Sequence, residues 1–445
     1  MSHELIHNYI GGHWQAASSG RTTPNHNPAT GELLGEVTAS GPDEVAAAVA
    51  AARAALPAWK SLPAPKRGDV LWRAADLMRR RKDELSRALT MEEGKSLTDA
   101  GGEVHRAANC LEFAAGEGRR MHGQVIPSEL SNNMIYTRRI PLGVVALVTP
   151  WNFPVAIPVW KAAAALICGN SVVLKPASAT PWTAKLITDI FIEAGMPAGV
   201  WNVLFGSGGK VGDALVQHPH VEAVSFTGSN DIGQRLYSMG AAQKKKVQCE
   251  MGGKNATVVF ADCDFERTVA ECVRAAFSNQ GQICLCGSRI LVERPLLARF
   301  REAFVERVRQ LRVGDPRDAT SDIGALVSAA HRDKVERYIA LAHEEGGRLL
   351  TGGERVSLEG RCANGYFLAP TVFDHLDAHC RVNQEEIFGP VATITAFDDE
   401  AQALAYANST PYGLACSLWT ENLSRAHRFA AAVESGVVWI NCWMA

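Results

Sequence analysis

The sequence predicts an α/β protein whose main domain is a doubly wound parallel sheet, and two observations support this prediction. From residue 143 onward, short apolar runs such as 143–149 and 171–175 alternate with helix-forming segments. Parallel strands are covered on both faces, so they appear in a sequence as continuous apolar runs. The chain has 445 residues, 47% of them hydrophobic and 21% charged, which is long enough for two or three domains.

The remaining elements follow in order along the chain. Before the first of these strands, Val45, Val49 and Ala52 share one face of a long predicted helix. The segment 119–139 is polar and rich in β-forming residues, which is typical of a β-hairpin that leaves its domain. After Glu250 a second α/β unit is predicted. Further strands are predicted at 200–205, 221–226, 247–250 and 257–260, and a helix at 209–218.

Charge and cysteine content argue against several classes of protein. The net charge is -2, from 45 basic and 47 acidic residues, so no excess of positive charge favours nucleic acid or an anionic membrane. Residues 1–8 lack the features of a signal peptide, and no apolar run is long enough to span a bilayer. The 11 cysteines are scattered and show no zinc-site spacing, which favours a reducing cytoplasm and no metal.

A cysteine just after a helix is the first candidate for chemistry. The helix predicted from Asp264 runs towards Gly281, and Cys284 follows three residues later. A rigid element can place such a loop thiol where it is aimed at a bound substrate. The thiol matters only if its surroundings make it a thiolate and supply a reaction.

Two glycine turns at predicted strand ends indicate a phosphate-binding site. The run from Phe226 to Gly233 follows a strand and opens a helix, where unpaired N–H groups can approach an anion. Two glycines at one such turn are on their own more often only a turn. A second glycine turn, 206–209, ends a neighbouring strand, and the pair of turns favours a dinucleotide.

Three polar residues complete the set of candidates. Asn152, in a Trp-Asn-Phe-Pro loop, can donate to a developing oxyanion or merely to its own backbone. Glu250, which precedes two glycines, suits a general base acting on water, or is an exposed carboxylate at a strand end. Glu386, together with the adjacent carboxylate of Glu385, could hold a ribose diol beside a planar ring, although composition alone indicates only a loop.

Together and in this order, the motifs resemble the aldehyde dehydrogenase superfamily from residues 9–12 to 438–441. The resemblance implies that Cys284 is the nucleophile, that Asn152 and the Cys284 N–H form the oxyanion hole, and that Glu250 is the general base. Cys286 stands where the family usually has a small or variable residue, and is interpreted as a bystander. The implied cofactor residues are Thr149, Pro150, Trp151, Lys175, Ser178, Gly208, Gly212, Phe226, Gly228, Ser229, Gly233, Glu386 and Phe388.

The same resemblance divides the chain into domains. It implies an NAD(P)-binding domain at 1–118 and 142–251, an oligomerisation hairpin at 119–141, and a catalytic domain at 252–445. A homodimer or homotetramer is expected for the family. Family members continue for a few dozen residues past the position of Ala445, so we expect the C-terminal end and the oligomerisation strand to be missing. A truncated nucleotide-binding protein with little or no activity is therefore the alternative.

The implied reaction is NAD(P)-dependent oxidation of a small-molecule aldehyde through a Cys284 thiohemiacetal and a thioester. Ser178 stands where NAD-preferring relatives often have Glu, whose charge would repel a 2′-phosphate. Two such charges about 4 Å apart cost about 1 kcal/mol in water and about 4 kcal/mol near a protein surface. We therefore expect NADP to be accepted alongside NAD, with no preference as the alternative.

The substrate prediction rests on a charge and on two branches of the family. Arg106 and Phe153 match the substrate tunnel of relatives, and Arg106 could pair with a distal carboxylate. A solvent-facing helical Arg is the alternative. The N-terminal half resembles succinate and 2-oxoglutarate semialdehyde dehydrogenases, whereas 282–286 and 439–443 resemble the aminomuconate and hydroxymuconate branch. All these substrates carry a carboxylate, so the predicted substrate is a semialdehyde acid.

Overall fold

The computed structural model describes residues 4–444, and the chain divides into two compact units. The first unit contains the N-terminal residues to His26, Leu33–Glu92 and Ala100–Glu250, and the second contains Asn27–Glu32, Glu93–Asp99 and the residues from Met251 onward. Both units contain parallel strands and helices, so the predicted α/β class is confirmed.

The first unit is built on a sheet whose two central strands are buried throughout. The strands of the first unit are β1 (Glu4–Ile6), β2 (Asn8–Ile10), β3 (His13–Gln15), β4 (Thr22–His26), β5 (Leu33–Thr38), β6 (Val125–Ile126), β7 (Ile135–Tyr136), β8 (Val144–Val148), β9 (Ser171–Lys175), β10 (Trp201–Val203), β11 (Ala223–Thr227) and β12 (Lys246–Glu250). Within residues 4–444, seven of them form one sheet in the order β12-β11-β8-β9-β10-β2-β3. The strands from β12 to β10 are parallel.

Two smaller groups of strands lie outside this sheet. Strands β1, β5 and β4 pair with one another, and β6 pairs with β7 as an antiparallel hairpin. All ten residues of β8 and β9 are buried, as the continuous apolar runs predict.

Among residues 4–444, four helices of the first unit precede its central parallel strands along the chain, and four alternate with them. They are α1 (Pro42–Ser61), α2 (Ala64–Arg80), α3 (Lys82–Glu93), α4 (Leu97–Glu117), α5 (Ala156–Ile167), α6 (Pro181–Glu193), α7 (Asp213–Gln217) and α8 (Asn230–Ala242). A turn of π-helix, Gly208–Gly212, precedes α7, where the sequence predicts one continuous helix from residue 209. Because three glycines lie in this turn, its backbone can widen at little steric cost.

The order of the strands identifies where a ligand would bind in the first unit. From β8 the chain adds β9 and then β10 on one side, and then returns to add β11 and β12 on the other side. Strands β8 and β11 therefore flank the point at which the strand order reverses. Open α/β sheets bind ligands outside the carboxyl ends of their strands at this point.

The second unit repeats the α/β plan. Its strands are β13 (Ala256–Val259), β14 (Arg289–Glu293), β15 (Arg348–Thr351), β16 (Thr371–Asp374), β17 (Val391–Phe397), β18 (Ala415–Trp419) and β19 (Val437–Ile440). Among the described residues, they form one sheet in the order β15-β16-β17-β14-β13-β18-β19, with β15 alone antiparallel to its neighbour. Its helices are α9 (Phe265–Phe277), α10 (Leu297–Arg309), α11 (Ala329–Glu344), α12 (Arg381–Gln384), α13 (Glu400–Ala407) and α14 (Leu423–Ala432).

Three short 3₁₀ turns, Ser278–Gly281, Arg294–Leu296 and Gly360–Cys362, complete the regular structure of this unit. Helix α9 buries Val269, Cys272 and Ala276 on one face, as the spacing of three and four residues predicts. In the described part of the chain, no helix is long and apolar enough to cross a bilayer.

Candidate active site

The loop that carries Cys284 begins with a left-handed turn. Helix α9 ends at Phe277, and the φ angles of Asn279, Gln280 and Gly281 are 50°, 57° and 71°. Left-handed backbone is unfavourable for side chains other than glycine, and persists only where the surroundings hold it. No residue with a side chain fits in place of Gly281, because a Cβ there would overlap the carbonyl group of Gly389.

Buried polar contacts within the second unit hold this turn. The amide of Gln280 donates to the carbonyl oxygens of Gly94 at 3.1 Å and Ala325 at 2.8 Å. The Asn279 amide donates to Glu93 Oε1 at 3.2 Å, and the Asn279 backbone N–H donates to Asp99 Oδ2 at 3.1 Å. These contacts offset the strain of two consecutive non-glycine residues in the left-handed region.

Glu93 is itself a fully buried carboxylate. Its Oε2 accepts from the Lys95 backbone N–H at 3.0 Å and lies 3.9 Å from Lys95 Nζ, and both side chains are inaccessible to solvent. A buried charge is tolerated only when it is paired and hydrogen-bonded. The Glu-Glu-Gly-Lys segment from Glu92 to Lys95 was not singled out by sequence analysis, since nothing local marks a helix-terminal Glu as a partner of a distant turn.

Three successive carbonyl groups after the turn are held by side-chain donors. Asn255 Nδ2 donates to the carbonyl oxygens of Cys284 at 2.7 Å and Cys286 at 3.0 Å. The indole Nε1 of Trp443 donates to the carbonyl oxygen of Leu285 at 2.9 Å, and Trp443 is only 2% exposed. The backbone on the carboxyl side of Cys284 is therefore rigid.

The peptide before Cys284 is also oriented. The carbonyl oxygen of Ile283 accepts from the backbone N–H of Cys286 at 3.0 Å. Because a trans peptide points its C=O and N–H in opposite directions, this bond sets the direction of the Cys284 N–H. A fixed backbone N–H at the nucleophile is the kind of donor that stabilises an oxyanion.

The two neighbouring cysteines differ in burial. Cys284 is half-buried, whereas Cys286 is only 6% exposed. Burial raises the pKa of the Cys286 thiol well above its usual range. Since the thiolate is the nucleophile, Cys286 is the chemically inert member of the pair.

Glu386 reaches the Gly252-Gly253 turn, although the two motifs lie far apart in the sequence. Its Oε1 accepts from the Gly253 backbone N–H at 3.0 Å, and a Cβ on Gly252 would overlap its carboxylate. Burial raises the pKa of Glu386. Glu385 behaves differently, because it accepts from Arg381 Nε at 2.8 Å and from the Tyr338 hydroxyl at 2.8 Å. Of the two adjacent carboxylates, therefore, Glu386 is held at the Gly252-Gly253 turn and Glu385 is held by Arg381 and Tyr338.

Two further contacts shape the loop after Glu386. Lys334 Nζ donates to the Glu386 carbonyl oxygen at 3.2 Å. His331 Nε2 donates to the Phe388 carbonyl oxygen at 2.6 Å, and Phe388 adopts a left-handed φ of 63°. Burial lowers the pKa of His331 to about 4, so this ring is neutral near pH 7 and donates from one nitrogen. Lys334 and His331 were not singled out by sequence analysis.

In the first unit, Asn152 lies in the loop between β8 and α5. It is 3% exposed, and the preceding Thr149, Pro150 and Trp151 follow β8 directly. The loop is anchored by Glu103 of α4, whose Oε1 accepts from the backbone N–H groups of 155 and 156 at 2.8 and 3.0 Å. Phe153 is partly buried and packs against the core of this unit.

The reversal point of the first sheet carries unsatisfied polar atoms. The hydroxyl oxygens of Thr149, after β8, and of Thr227, at the end of β11, are buried and have no hydrogen-bond partner among the described residues. Buried polar atoms without a partner are costly. Their position at the carboxyl ends of adjacent strands suits a polar ligand.

Lys175 ends β9 and is 5% exposed. Burial lowers its pKa to about 8. Ser178, three residues later, is exposed and donates to the carbonyl oxygen of Gly206 at 3.2 Å. Both residues lie at the carboxyl ends of parallel strands, and Ser178 lines a cavity of about 270 Å³.

The glycine turns stand where the sequence predicts them. Gly208 and Gly212 are the first and last residues of the π-helical turn. Phe226 lies in β11, Gly228 follows that strand, and Ser229 is the N-cap residue of α8. The backbone N–H of Gly233 donates to the carbonyl oxygen of Ser229 at 2.9 Å. The start of α8 therefore lies next to the reversal point, where a helix N-terminus can hold an anion.

Glu250 ends β12 and is half-buried. Its carbonyl oxygen accepts from the Gly228 backbone N–H at 3.1 Å. A buried lysine that sequence analysis did not single out, Lys161 of α5, donates to Ser225 Oγ at 2.8 Å and Gln248 Oε1 at 3.3 Å. Burial lowers the pKa of Lys161 to about 8, and the charge of Glu250 acts in the opposite direction.

Arg106 belongs to the first unit. It is exposed on α4, in the helical turn beside Cys110, whose thiol feels its charge. The structure thus brings together Glu250, Gly228 and the strand ends in the first unit, and Cys284, Asn255 and Glu386 in the second. No group of three or more His, Cys, Asp or Glu side chains among residues 4–444 is placed to hold a metal ion.

Comparison with known proteins agrees with the motifs. A model described as the aldehyde dehydrogenase family matches residues 14–445. The 2-aminomuconic semialdehyde dehydrogenase of Bos taurus is 40% identical over 443 residues, which cover 99% of this chain and 91% of that protein. A crystal structure of an E. coli NADP dependent enzyme aligns with a TM-score of 0.96 at 40% identity, covering 99% of this chain and 91% of the other.

A crystal structure of PnpE from Pseudomonas sp. WBC-3 aligns with a TM-score of 0.97 at 39% identity, covering 99% of this chain and 90% of the other. PnpE has also been solved in complex with nicotinamide adenine dinucleotide, and that structure aligns with a TM-score of 0.96 at 39% identity.

Proposed function

Because the chain belongs to the aldehyde dehydrogenase family, we propose that it catalyses the NAD(P)-dependent oxidation of a carboxylate-bearing semialdehyde to the acid. The observation that carries the proposal is the half-buried Cys284 on a loop whose backbone is held on both sides by Gln280 and Asn255. Such rigidity is what a nucleophile and its oxyanion donor need to act without reorganisation.

Different residues of the chain act in different steps of the proposed reaction. The Cys284 thiolate adds to the aldehyde carbon, and the alkoxide that forms accepts hydrogen bonds from the Asn152 amide and the Cys284 N–H. Bound NAD or NADP supplies the acceptor for the hydride that leaves the same carbon. The thioester that remains on Cys284 is hydrolysed by a water whose proton passes to Glu250.

The structure offers residues that fit such a cofactor. The unpaired hydroxyls of Thr149 and Thr227 and the start of α8 suit the polar middle of a dinucleotide. Lys175, buried at the end of β9, suits the ribose hydroxyls. Glu386, fixed by the Gly253 N–H, suits the second ribose, and Phe388 the ring beside it.

The mechanism is tested first at Cys284. With succinic semialdehyde and either cofactor, Cys284→Ala should lower formation of reduced cofactor at least about a thousandfold. The matched control, Cys286→Ala, should retain activity within a few-fold. If Cys284→Ala kept substantial activity, the assigned nucleophile would be wrong.

The carboxylate of the substrate is proposed to interact with Arg106. Arg106 is exposed, and a relative at 40% identity is named for a semialdehyde that carries a carboxylate. Arg106→Ala should raise KM for succinic semialdehyde about tenfold, the size of one charge-assisted hydrogen bond. Butyraldehyde, which lacks the carboxylate, should be unaffected; equal effects on both aldehydes would rule out this role.

We also propose that NADP is accepted alongside NAD. Ser178 carries no charge that would repel a 2′-phosphate, and it lies on the rim of a cavity at the carboxyl ends of β9 and β10. Ser178→Glu should lower the NADP/NAD ratio of kcat/KM by about tenfold or more, from like-charge repulsion. An unchanged ratio would show that Ser178 has no part in the choice.

The segment 119–141 is proposed to join two copies of the chain. Its hairpin exposes apolar side chains, including Val125 at 79%, Leu130 at 69% and Met134 at 78%. A strand edge and apolar surface of this kind favour pairing with another chain. Light scattering should report a dimer or tetramer, and Val125→Glu with Met134→Glu should reduce its size. A monomeric wild-type protein would contradict the proposal.

A further inference from the structure

Helix α4 carries two carboxylates on one face. Asp99 lies in its first turn, and Glu103 stands four residues later. Residues four apart on a helix are neighbours on the same side. Asp99 is half-buried and Glu103 is 3% exposed. The helix begins in residues of the second unit and continues from Ala100 in the first, so each carboxylate contacts a loop of its own unit.

Glu103 caps the helix that follows Asn152. Its Oε1 accepts from the backbone N–H groups of Val155 and Ala156, at 2.8 and 3.0 Å. Val155 is the N-cap residue of α5, and its side chain makes no capping hydrogen bond. Because the first N–H groups of a helix have no partner within that helix, the Glu103 carboxylate supplies both an acceptor and a favourable negative charge. The carboxyl end of the Asn152 loop is therefore held by α4.

Asp99 holds the turn that leads to Cys284. Its Oδ2 accepts from the backbone N–H of Asn279 at 3.1 Å, where the backbone is left-handed with a φ of 50°. A residue with a side chain stays in this region only if its surroundings support it, and Asn279 is 1% exposed. Because the peptide group is planar, this hydrogen bond fixes the plane in which the chain leaves α9 and continues towards Cys284.

The two loops supply the two donors that the proposed reaction needs. These donors are the Asn152 amide and the Cys284 N–H, and both would stabilise the same oxyanion. Stabilisation of this kind requires donors that are fixed before the reaction, within about 0.5 Å of the productive geometry. A displacement of about 1 Å can lower the rate about a hundredfold. The residues that hold the loops are therefore important for the reaction although they contact no reacting atom.

We propose that Asp99 and Glu103 are positioning residues for the oxidation. From one face of α4, Asp99 orients the loop of the nucleophile Cys284, and Glu103 orients the loop of the oxyanion donor Asn152. This inference rests on the proposed function, because it assigns both carboxylates a role in that reaction. Since the two loops serve one oxyanion, a shift of either loop impairs the same step.

Steady-state kinetics with succinic semialdehyde and NAD tests the role. Asp99→Ala and Glu103→Ala should each lower kcat about ten- to hundredfold, and kcat/KM by the same factor, because the lost geometry matters only in the transition state. The Kd for NAD should stay within about threefold of the wild-type value. A raised KM with an unchanged kcat would overturn the inference.

Conservative variants and a matched control separate positioning from general destabilisation. Asp99→Asn and Glu103→Gln keep one acceptor oxygen, so kcat should stay within about threefold of wild type. Glu112→Ala, which removes a surface carboxylate paired with Arg79 on the same helix, should leave kcat unchanged. If an alanine variant does not fold, Glu103→Asp keeps the charge but shortens the side chain, and should lower kcat about tenfold. Full activity of Glu103→Asp together with Asp99→Ala would contradict the role.

A double variant distinguishes a shared role from two independent ones. Because both contacts serve the same oxyanion, Asp99→Ala combined with Glu103→Ala should lower kcat no more than about threefold beyond the less active single variant. A loss equal to the product of the two single losses would overturn the joint role.

Hydrogen exchange without substrate distinguishes this inference from the proposed function. Glu103→Ala should speed exchange of the amides of Val155 and Ala156, and Asp99→Ala that of Asn279, by at least about tenfold. Glu112→Ala should change neither. Unchanged exchange and unchanged kcat in a chain that oxidises succinic semialdehyde would overturn the inference alone. Faster exchange at these amides, in a chain that oxidises no aldehyde, would support the positioning of both loops and remove the proposed activity.

Discussion

The side-chain amide of Asn255 donates to the carbonyl oxygens of Cys284, at 2.7 Å, and of Cys286, at 3.0 Å. Its Oδ1 accepts from the backbone N–H of Ala415 at 3.1 Å, so the amide orientation follows from its partners. Asn255, which directly precedes β13, thereby fixes the position of the backbone that carries the candidate nucleophile. Positioning of this kind acts through geometry rather than through contact with substrate.

Asn255→Asp should lower kcat about ten- to thirtyfold, because it removes two donors worth about 1 kcal/mol each and places a carboxylate near two carbonyl oxygens. Steady-state kinetics with succinic semialdehyde measures the loss, and the Kd for NAD should change little. Asn364→Asp, at an exposed position, is the matched control. If the Asn255 variant unfolds, Asn255→Gln should show the same kcat loss with the amide donor kept; full activity of either variant would argue against the role.

The left-handed turn before Cys284 predicts which of two substitutions at Gln280 lowers the stability of the protein more. Gln280→Ala removes two buried hydrogen bonds and keeps a side chain at φ 57°, so it should destabilise the second unit by about 2–4 kcal/mol. Gln280→Gly loses the same bonds but relieves the backbone strain, so it should be about 1 kcal/mol less destabilising. Thermal unfolding followed by calorimetry orders the two variants. A glycine variant less stable than the alanine variant would mean that the turn is not strained.

The two cysteines of the loop should differ in reactivity. Cys284 is half-buried, whereas the Cys286 thiol is buried and its pKa is raised. Brief treatment with iodoacetamide at pH 7.5 should label Cys284 and leave Cys286 unmodified until the protein is unfolded, by a ratio of at least about tenfold. Both cysteines lie in the tryptic peptide 275–289, and its fragment ions assign the label. Preferential labelling of Cys286 would contradict the burial seen here.

Cofactor binding should depend on pH through Lys175, whose pKa burial lowers to about 8. The protonated amine is the stronger donor to ribose hydroxyls and attracts the anionic cofactor, so the complex favours the protonated form. The Kd for NADP should therefore be flat below pH 8 and rise above it, by at most about tenfold per pH unit.

Calorimetry between pH 6.5 and 9.5 measures this dependence, and proton uptake on binding near pH 8.5 checks its origin. Lys175→Met should bind more weakly at pH 7 and show a flat profile over the same range. A wild-type Kd that stays constant through pH 9.5 would exclude Lys175 as the titrating group.

The amino-acid sequence by itself determined the α/β class and the order of the motifs along the chain. Both kinds of information are local: a buried parallel strand is a continuous apolar run, and a motif such as 226–233 lies within one strand and the next helix start. Local patterns also placed Cys284 just after α9, because that helix has an apolar face of clear helical period.

Only the tertiary structure decided which side chains support the motifs. Glu93, Asn255 and Trp443 reach the Cys284 loop from positions far away in the sequence, and no local period or spacing encodes such contacts. The contact of Glu386 with the Gly253 N–H, the pairing of Glu385 with Arg381, and the burial of Cys286 likewise arise from packing. These properties depend on the surroundings of a group, and the surroundings exist only once the chain is folded.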